Sequence, residues 1–498
     1  MIESQSIALT LWRYSPKYFF NQKYTKNFNM IFLKTTNYPY KFGFSTILDK
    51  TYFPYGINLP LIKLISLKKK ESEFFFYFRI NSYNIWIQMD FPLWNSLYSN
   101  EINFLNFIYY SATKKNKYNY GSYFLKIQNF LKKLGIYSTK ITAIDTIFDS
   151  ISINIKYKNQ LNKFGIIFNS ISIGLTYFPN LLKKFLGKIV KINDNFFATL
   201  NSIVYSDGSF CYISQNIKCP INLSSYFRIN DKRTGQFERT LIICEKRSEI
   251  QYIEGCTAQQ YDKNQLHTAI VELIAFDNSK IKYFTLQNWY SGNIKGFGGI
   301  YNIVTKRGIC FGKKSKIQWT QVETGSILTW KYPSCILLGN FSKGEFFSIS
   351  FTKNQQSADT GTKMWHIGHT TNSKIISKSI SMNNSNNFYR GQVKFGQNSI
   401  NSKNFSQCDS FILDNFCKII TYPYIEIFNS KNIIEHEARI SKITKEQLFF
   451  LQQRGFSIEN ATELILNSFC NDILLILPLE FGLEIKNLIL LKLNSNIA

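Results

Sequence analysis

The sequence predicts a mainly β protein with helical flanks, on three observations. From about Phe197 to Phe428 short β-rich runs follow one another with no amphipathic helix between them. Gly, Asn, Ser and Asp punctuate the runs. No tight Asn-Gly hairpin joins them. A sandwich, a barrel and a parallel β-solenoid all suit such a series, and recurrent spacing without hairpins favours the solenoid.

Before that region, residues 1 to about 195 read as mixed helix and loop. ESEFFFYFRINSYNIWIQM (71–89) and the segment around Tyr123–Leu134 carry aromatic and aliphatic residues at helical spacing, for which core packing is a sufficient explanation. The β region then runs through IKYFTLQNWY, GGIYNIVTKRGIC, KIQWTQVETG, SILTWKYPSCILLG, GEFFSISFT, SKIISKSISM, FYRGQVKFG and CKIITYPYIEIF. After Glu437 the period returns to helical. Thr444 and Gln447 form a capping box, in which hydroxyl and amide satisfy free backbone donors at a helix start. Gly455 fits a helix C′ position, and Ser457 caps a second helix through Leu474, with Pro478 beyond it. The domains are set at 1–195 (mixed and helical), 196–430 (β core) and 431–498 (helical).

At 498 residues the chain can bury a large core. A formal charge of +27 ordinarily raises nucleic acid as a partner. Here Lys far outnumbers Arg, and Asn, Ile, Phe and Tyr are abundant, the set that AT-rich codons favour. The lysines are dispersed, with Lys68, Lys69 and Lys70 the single triple. The charge is therefore read as codon bias, with no nucleic-acid partner. No stretch offers about 18 uncharged apolar residues, so no membrane insertion is expected. The nine cysteines all follow position 210 and include no CxxC, which excludes a zinc ribbon and a thioredoxin-type pair; most should be small buried hydrophobes.

Three features carry candidate chemistry. Cys408 precedes the triplet Glu435, His436 and Glu437 by about one solenoid turn. Thiolate, imidazole and carboxylate suit iron or zinc, but strand alternation puts both glutamates on one face and His436 on the other. A charged strand end is the plainer reading. Arg228 with Asn230, and Gln287 with Trp289, sit at i and i+2 and share a face, toward a lumen or outward; periodicity alone favours outward. Cys256, after Glu-Gly, is an accessible nucleophile or, more commonly, a buried thiol. Neither GFGGIY nor FGKKSK completes a nucleotide-binding loop.

Long blocks in one order then carry a resemblance. They include NDNFFATLNSIVYSDGSF, SSYFRINDKRTGQFERTLII, EGCTAQQYDKNQLHTAIVELIA, LQNWYSG, GGIYNIVTKRG, WTQVETGSILTWKYPSC, QSADTGTKMWHIG, YRGQVK, SQCDS, YPYIE, IEHEARISKI and QLFFLQQRG. The chain resembles the SufB/SufD family of iron–sulfur cluster assembly scaffolds, and within it the cluster-assembling SufB type. The resemblance is densest from about 195 to 478. The main rival is a SufD-like structural subunit without a cluster, against which Cys256, Cys408 and the acid–imidazole–acid triplet argue together.

The resemblance implies a right-handed parallel β-helix core with N- and C-terminal helical regions, and a scaffold rather than an enzyme. It implies as partners a SufD-like subunit, a SufC-type ATPase that hydrolyses the ATP, a sulfur donor of SufE/SufS type, and recipient apoproteins. Cys256 would accept sulfur, and Arg228, Asn230, Gln287, Trp289 and Lys306 would line a passage to Cys408. Cys408 with Glu435, His436 and Glu437 would hold iron and a transient 4Fe–4S cluster at the subunit interface; flavin use stays open. No cysteine precedes Cys211, so the N-terminal cysteine cluster of some bacterial members has no counterpart here. Codon bias without a presequence points to an organelle-encoded protein of a plastid stroma, apicoplast-like.

Overall fold

In the computed structural model the described residues are 50–92, 102–113 and 142–478 apart from 149–150, 156–157, 230–234, 259–262 and 294–296, together with 482, 485 and 486. The expected helical segment at 123–134, and Asn230, lie outside them. All fall within the unit formed by 47–116 and 138–498.

The core is a β-solenoid of two sheets whose strands alternate along the chain. The first sheet stacks Asn222–Ile229, Glu249–Ala258, Lys280–Asn288, Lys316–Thr324, Lys343–Lys353, Asn372–Met382, Lys403–Ile412 and Ile433–Lys442, each parallel to the last. The second stacks Gln236–Cys244, Gln265–Ala275, Ile300–Cys310, the pair Leu328–Lys331 and Ser334–Leu337, Ser357–His366, Asn386–Phe395 and Lys418–Ile427. Parallel stacking needs no hairpin, which is why no Asn-Gly turn is present.

A stacked turn recurs in each coil. Arg247, Asn278, Lys314, Phe341, Thr370 and Asn401 take left-handed backbone (φ 57°, 54°, 56°, 60°, 54° and 54° in that order) at intervals of 27 to 36 residues. The first five each donate their N–H to a carbonyl of the next turn, at 2.7–2.9 Å. A buried Ser or Thr follows every one: Ser248, Ser279, Ser315, Ser342, Thr371 and Ser402.

The segment before 195 holds strands as well as helix, a departure from the helix-and-loop expectation. Thr142–Phe148 extends the first sheet and pairs antiparallel with Ile151–Ile155, while Ile166–Ser170 closes the second antiparallel on Ser209–Ile213. Antiparallel caps of this kind blunt a sheet end that would otherwise present free backbone groups. Among the helices, Glu73–Trp86 matches the periodicity expected over 71–89 and packs with Phe196–Val204. Thr444 and Gln447 make the expected capping box, and Ser457 caps Ile458–Leu474. That last helix lays Leu466, Cys470 and Ile473 on Ile253, Phe284, Val322, Ile349 and Ile380 of the first sheet's outer face.

Candidate functional site

The lumen between the sheets is divided along its strands. One half is apolar: Tyr252, Tyr283, Trp319, Phe346 and Ile375 from the first sheet meet Cys244, Leu273, Cys310 and Cys335 from the second. The other half is polar, because alternation continues with a different residue type. Two residues further along each first-sheet strand the inward positions become Glu254 and Cys256, Thr285 and Gln287, Gln321 and Glu323. Across from them stand Gln236, Glu238, His267, Asn302 and Lys306.

The registers turn these positions into two columns. One runs Glu254, Thr285, Gln321, Ser348, Ser377, Cys408; the other runs Cys256, Gln287, Glu323, Ser350, Ser379, Ser410. Every coil between Cys256 and Cys408 thus places two polar side chains in the lumen. Five strand steps at about 4.8 Å separate the two cysteines, roughly 24 Å. Ser348 donates to Ser377 at 2.9 Å, Asn387 to Ser350 at 3.1 Å, and Ser379 and Ser410 lie 2.6 Å apart. A cavity lined by Glu323, Ser326, Thr329, Ser350 and Ala358 opens midway.

At the first end, Cys256 is fully buried, so of its two readings the buried thiol, the commoner fate, is the one found, and it is a lumen group. Burial pushes it well above the usual thiol range, with Glu238 and Glu254 adding to the effect. Gln287 donates to Cys256 Sγ at 3.8 Å, and Trp289 packs in the same cluster with its indole N–H unpaired. The outward reading of Gln287 and Trp289 is therefore corrected: period 2 fixes that they share a face, but not which face. Lys306 is also inside, 1% exposed, held down to about 7 by burial and then by Lys331. Arg228 is 4% exposed, but it aligns with Thr257, so it lies on the sheet face opposite Cys256.

Sequence reading missed Glu238, His267 and Asn302, which reach the same place from the other sheet. Glu238, Glu254 and Cys256 bring two carboxylate oxygens and a sulfur within 4.8 Å of one another, a buried donor set chemically able to hold a metal or cluster. Here each carboxylate is already engaged. Glu254 accepts from Tyr283 at 2.5 Å with Lys306 3.9 Å away, and Glu238 meets Gln236 at 2.9 Å and His267 at 3.0 Å.

At the other end Cys408 is 4% exposed and pushed up to about 12, chiefly by burial and then by Asp409. Ser406 aligns with His436 and Cys408 with Ala438, so His436 takes the face of Cys408 one position away. Glu435 and Glu437 align with Phe405 and Gln407 on the opposite face, and Glu437 pairs with Arg439. The alternation expected from sequence is the arrangement found.

Residues 227–469 match the core domain described as SUF system FeS cluster assembly, SufBD core domain. An iron–sulfur cluster assembly SufBD family protein of Trieres chinensis is 49% identical over 96% of this chain and 99% of its own. One from Synechocystis is 50% identical over 93% of this chain and 98% of its own. A Plasmodium falciparum protein named iron–sulfur cluster assembly protein SufB is 46% identical over 93% and 98%. A chloroplastic SufBD family protein of Arabidopsis thaliana, 46% identical over 94% and 85%, adds to the support for a plastid-type location. With the solenoid, its helical flanks and nearly the whole length aligned, the chain belongs to the SufBD family of iron–sulfur cluster assembly proteins.

Proposed function

We propose that this chain is the cluster-building, SufB-type scaffold, taking sulfur at Cys256 and assembling an iron–sulfur cluster at Cys408. Family membership is consistent with a scaffold role. The observation that carries the SufB-type reading is the pair of unbroken polar columns between the two cysteines, which a purely structural subunit does not need. Buried polar groups cost free energy unless they are paired, so a line of them through a solenoid that hydrophobic residues would fill better points to use rather than stability.

In this reading Gln287, Trp289 and Lys306 border the passage, Arg228 acts from the other face of its strand, and Asn230 belongs to the same functional set. Cys408 and His436 supply soft and borderline donors from the lumen face at the open end of the first sheet. Glu435 and Glu437 project to the opposite face, so they serve the cluster through a bend of the last strand or across a junction with a SufD-like subunit. The cluster, a 4Fe–4S unit, is cargo passed to apoproteins. A SufE/SufS-type donor supplies sulfur, and SufC-type subunits hydrolyse ATP to open the junction.

Anaerobic reconstitution with iron and a cysteine desulfurase, read by absorption and Mössbauer spectra, tests this directly. Wild type should form a cluster, with the SufD-like partner present if not alone, and Cys408→Ala should lose it. An unchanged yield in Cys408→Ala would sink the proposal.

A further inference from the structure

We propose that Glu238 and His267 form the proton-accepting pair that converts the Cys256 thiol into the nucleophile of sulfur transfer, with Asn302 and Gln287 as positioning residues. The inference rests on the reading of Cys256 as sulfur acceptor. The attacking species in thiol–persulfide chemistry is the thiolate. Cys256 is buried in a site that favours the thiol, so a neighbour must take its proton before it can react.

The groups facing that sulfur are Glu238, Glu254, Lys306 and Lys331, with Tyr283 and Glu323 alongside. Most are already committed. Tyr283 donates to Glu254 Oε2 while Glu254 Oε1 lies 3.9 Å from the Lys306 ammonium, Lys331 pairs with Glu323, and Lys306 reaches Thr285 at 3.4 Å. Glu238 differs, since its second oxygen faces an imidazole that can share a proton with it.

The hydrogen bonds around His267 have one direction. Gln287 gives its amide N–H to Cys256 Sγ, so its oxygen is left as acceptor for Asn302 Nδ2 at 2.7 Å. Asn302 has thereby committed its amide nitrogen, and its oxygen, 2.8 Å from His267 Nδ1, accepts. Nδ1 therefore carries a proton. Nε2 faces Glu238 Oε1 at 3.0 Å, while Glu238 Oε2 accepts from Gln236 at 2.9 Å. With a second proton on the pair, every donor from Nδ1 onward points toward the sulfur, the arrangement that stabilises a thiolate. Burial already raises Glu238 above the usual carboxylate range, which makes its carboxylate the stronger base toward the thiol. Trp289 covers the imidazole, ring centres 4.7 Å apart, and keeps water from the relay.

The step balances. Cys256 gives its proton to the Glu238 carboxylate, within 4.8 Å, which shares it with His267 Nε2. The thiolate attacks the terminal sulfur of a protein persulfide R–S–SH, forming the new Cys256 S–S bond and breaking the donor's. The donor leaves as a thiolate and takes up the proton the pair holds. The products are Cys256–S–SH and R–SH, with no net oxidation.

The test is a single-turnover transfer from a persulfide-loaded cysteine desulfurase to the full chain, between pH 6 and 9 and with a chelator present. Modified Cys256 is read by alkylation and peptide mass spectrometry. Glu238→Gln and His267→Gln should slow transfer at pH 7 by about 100-fold, the scale of a lost general base. Their rates should climb about tenfold per pH unit, because the thiol must then ionise unaided, while wild type stays nearly flat. Asn302→Leu leaves the pair intact but cuts the relay, and it should show a loss of about tenfold with the same steep profile; it keeps the test decisive if the other variants fold poorly. A modified Cys256 in wild type with all three variants matching its rate and profile overturns the pair alone. No sulfur on wild-type Cys256 overturns the acceptor reading, and the pair with it. A wild-type rate that the chelator abolishes and ferrous iron restores overturns the pair in favour of metal at the same carboxylates.

Discussion

At the scale of single residues, the lumen holds polar groups in states that water would not allow, and His366 shows the consequence for stability. It is fully buried, with Nδ1 at 2.7 Å from Thr371 Oγ1, Nε2 at 2.8 Å from Ser373 Oγ, and its ring stacked on Phe395. Burial lowers it to about 3, whereas a His in the unfolded chain titrates near 6.5. As pH falls below about 6.5 the unfolded chain takes the proton first, so this share of stability is lost progressively down to about pH 3. At pH 5 the loss is about 2 kcal/mol. His366→Gln should therefore be less stable than wild type at pH 7.5, and the gap in urea midpoint should close by about that amount at pH 5. A gap independent of pH would show that His366 takes up its proton as readily in the native protein as in the unfolded chain. The same scale shows what a sequence hides. That Gln287 and Trp289 share a face follows from period 2, but Glu238, His267 and Asn302 meet them only because two sheets close on one lumen. No spacing along the chain encodes a contact across it.

Elements are held to one another by a few buried charges that count far beyond their number. Glu272, on the outer face of the second sheet and 0% exposed, accepts the backbone N–H groups of Gly187, Ile189 and Val190 at 3.0–3.1 Å and the Arg239 guanidinium at 3.0 Å. One carboxylate thus ties the segment after helix Pro179–Phe185 to the solenoid. Glu272→Ala would leave a buried guanidinium without its anion and three amides without an acceptor, costing about 3–5 kcal/mol. Glu272→Gln keeps an acceptor oxygen and should cost about 1–3 kcal/mol. Denaturant titration measures both, and hydrogen exchange at 187–190 should quicken in the alanine variant; equal stability of the two would remove the charge from the account. Helix caps such as Thr444 with Gln447 were legible because their chemistry is local. The solenoid's own repeat was written less plainly. Its signature is a left-handed residue followed by Ser or Thr in each coil, yet Arg, Asn, Lys, Phe and Thr all fill the first position. Stacked turn hydrogen bonds pay for that strain, so no glycine marks the place.

For the whole molecule, the decisive feature is the asymmetry between the solenoid's ends. Antiparallel strands blunt the first end, but Lys418–Ile427 and Ile433–Lys442 finish their sheets with no further described strand beside them. Solvated edges usually carry charge or proline; this one has Pro423 and several lysines, yet it also exposes Tyr422, Tyr424, Ile427 and Ile440, from 44% to 54%. Such a mixture suits an edge that is covered by one partner and protected from others. Coverage by a SufD-like subunit would also bring a second strand edge to Cys408 and His436, which Glu435 and Glu437 cannot join from their own face without help. Placing lysine at Tyr424 and Ile440 together should weaken that association at least tenfold, about 1.4 kcal/mol, because unpaired charge would be buried at the junction. Both side chains are half exposed in the single chain, so its own stability should stay within about 1 kcal/mol of wild type. Sedimentation of the purified chain with its partner measures the first, and thermal unfolding of the chain alone measures the second. Cluster yield in the mixture should fall with the association. A double variant that binds the SufD-like subunit at full strength would show that the junction lies elsewhere and that this edge is a solvated one.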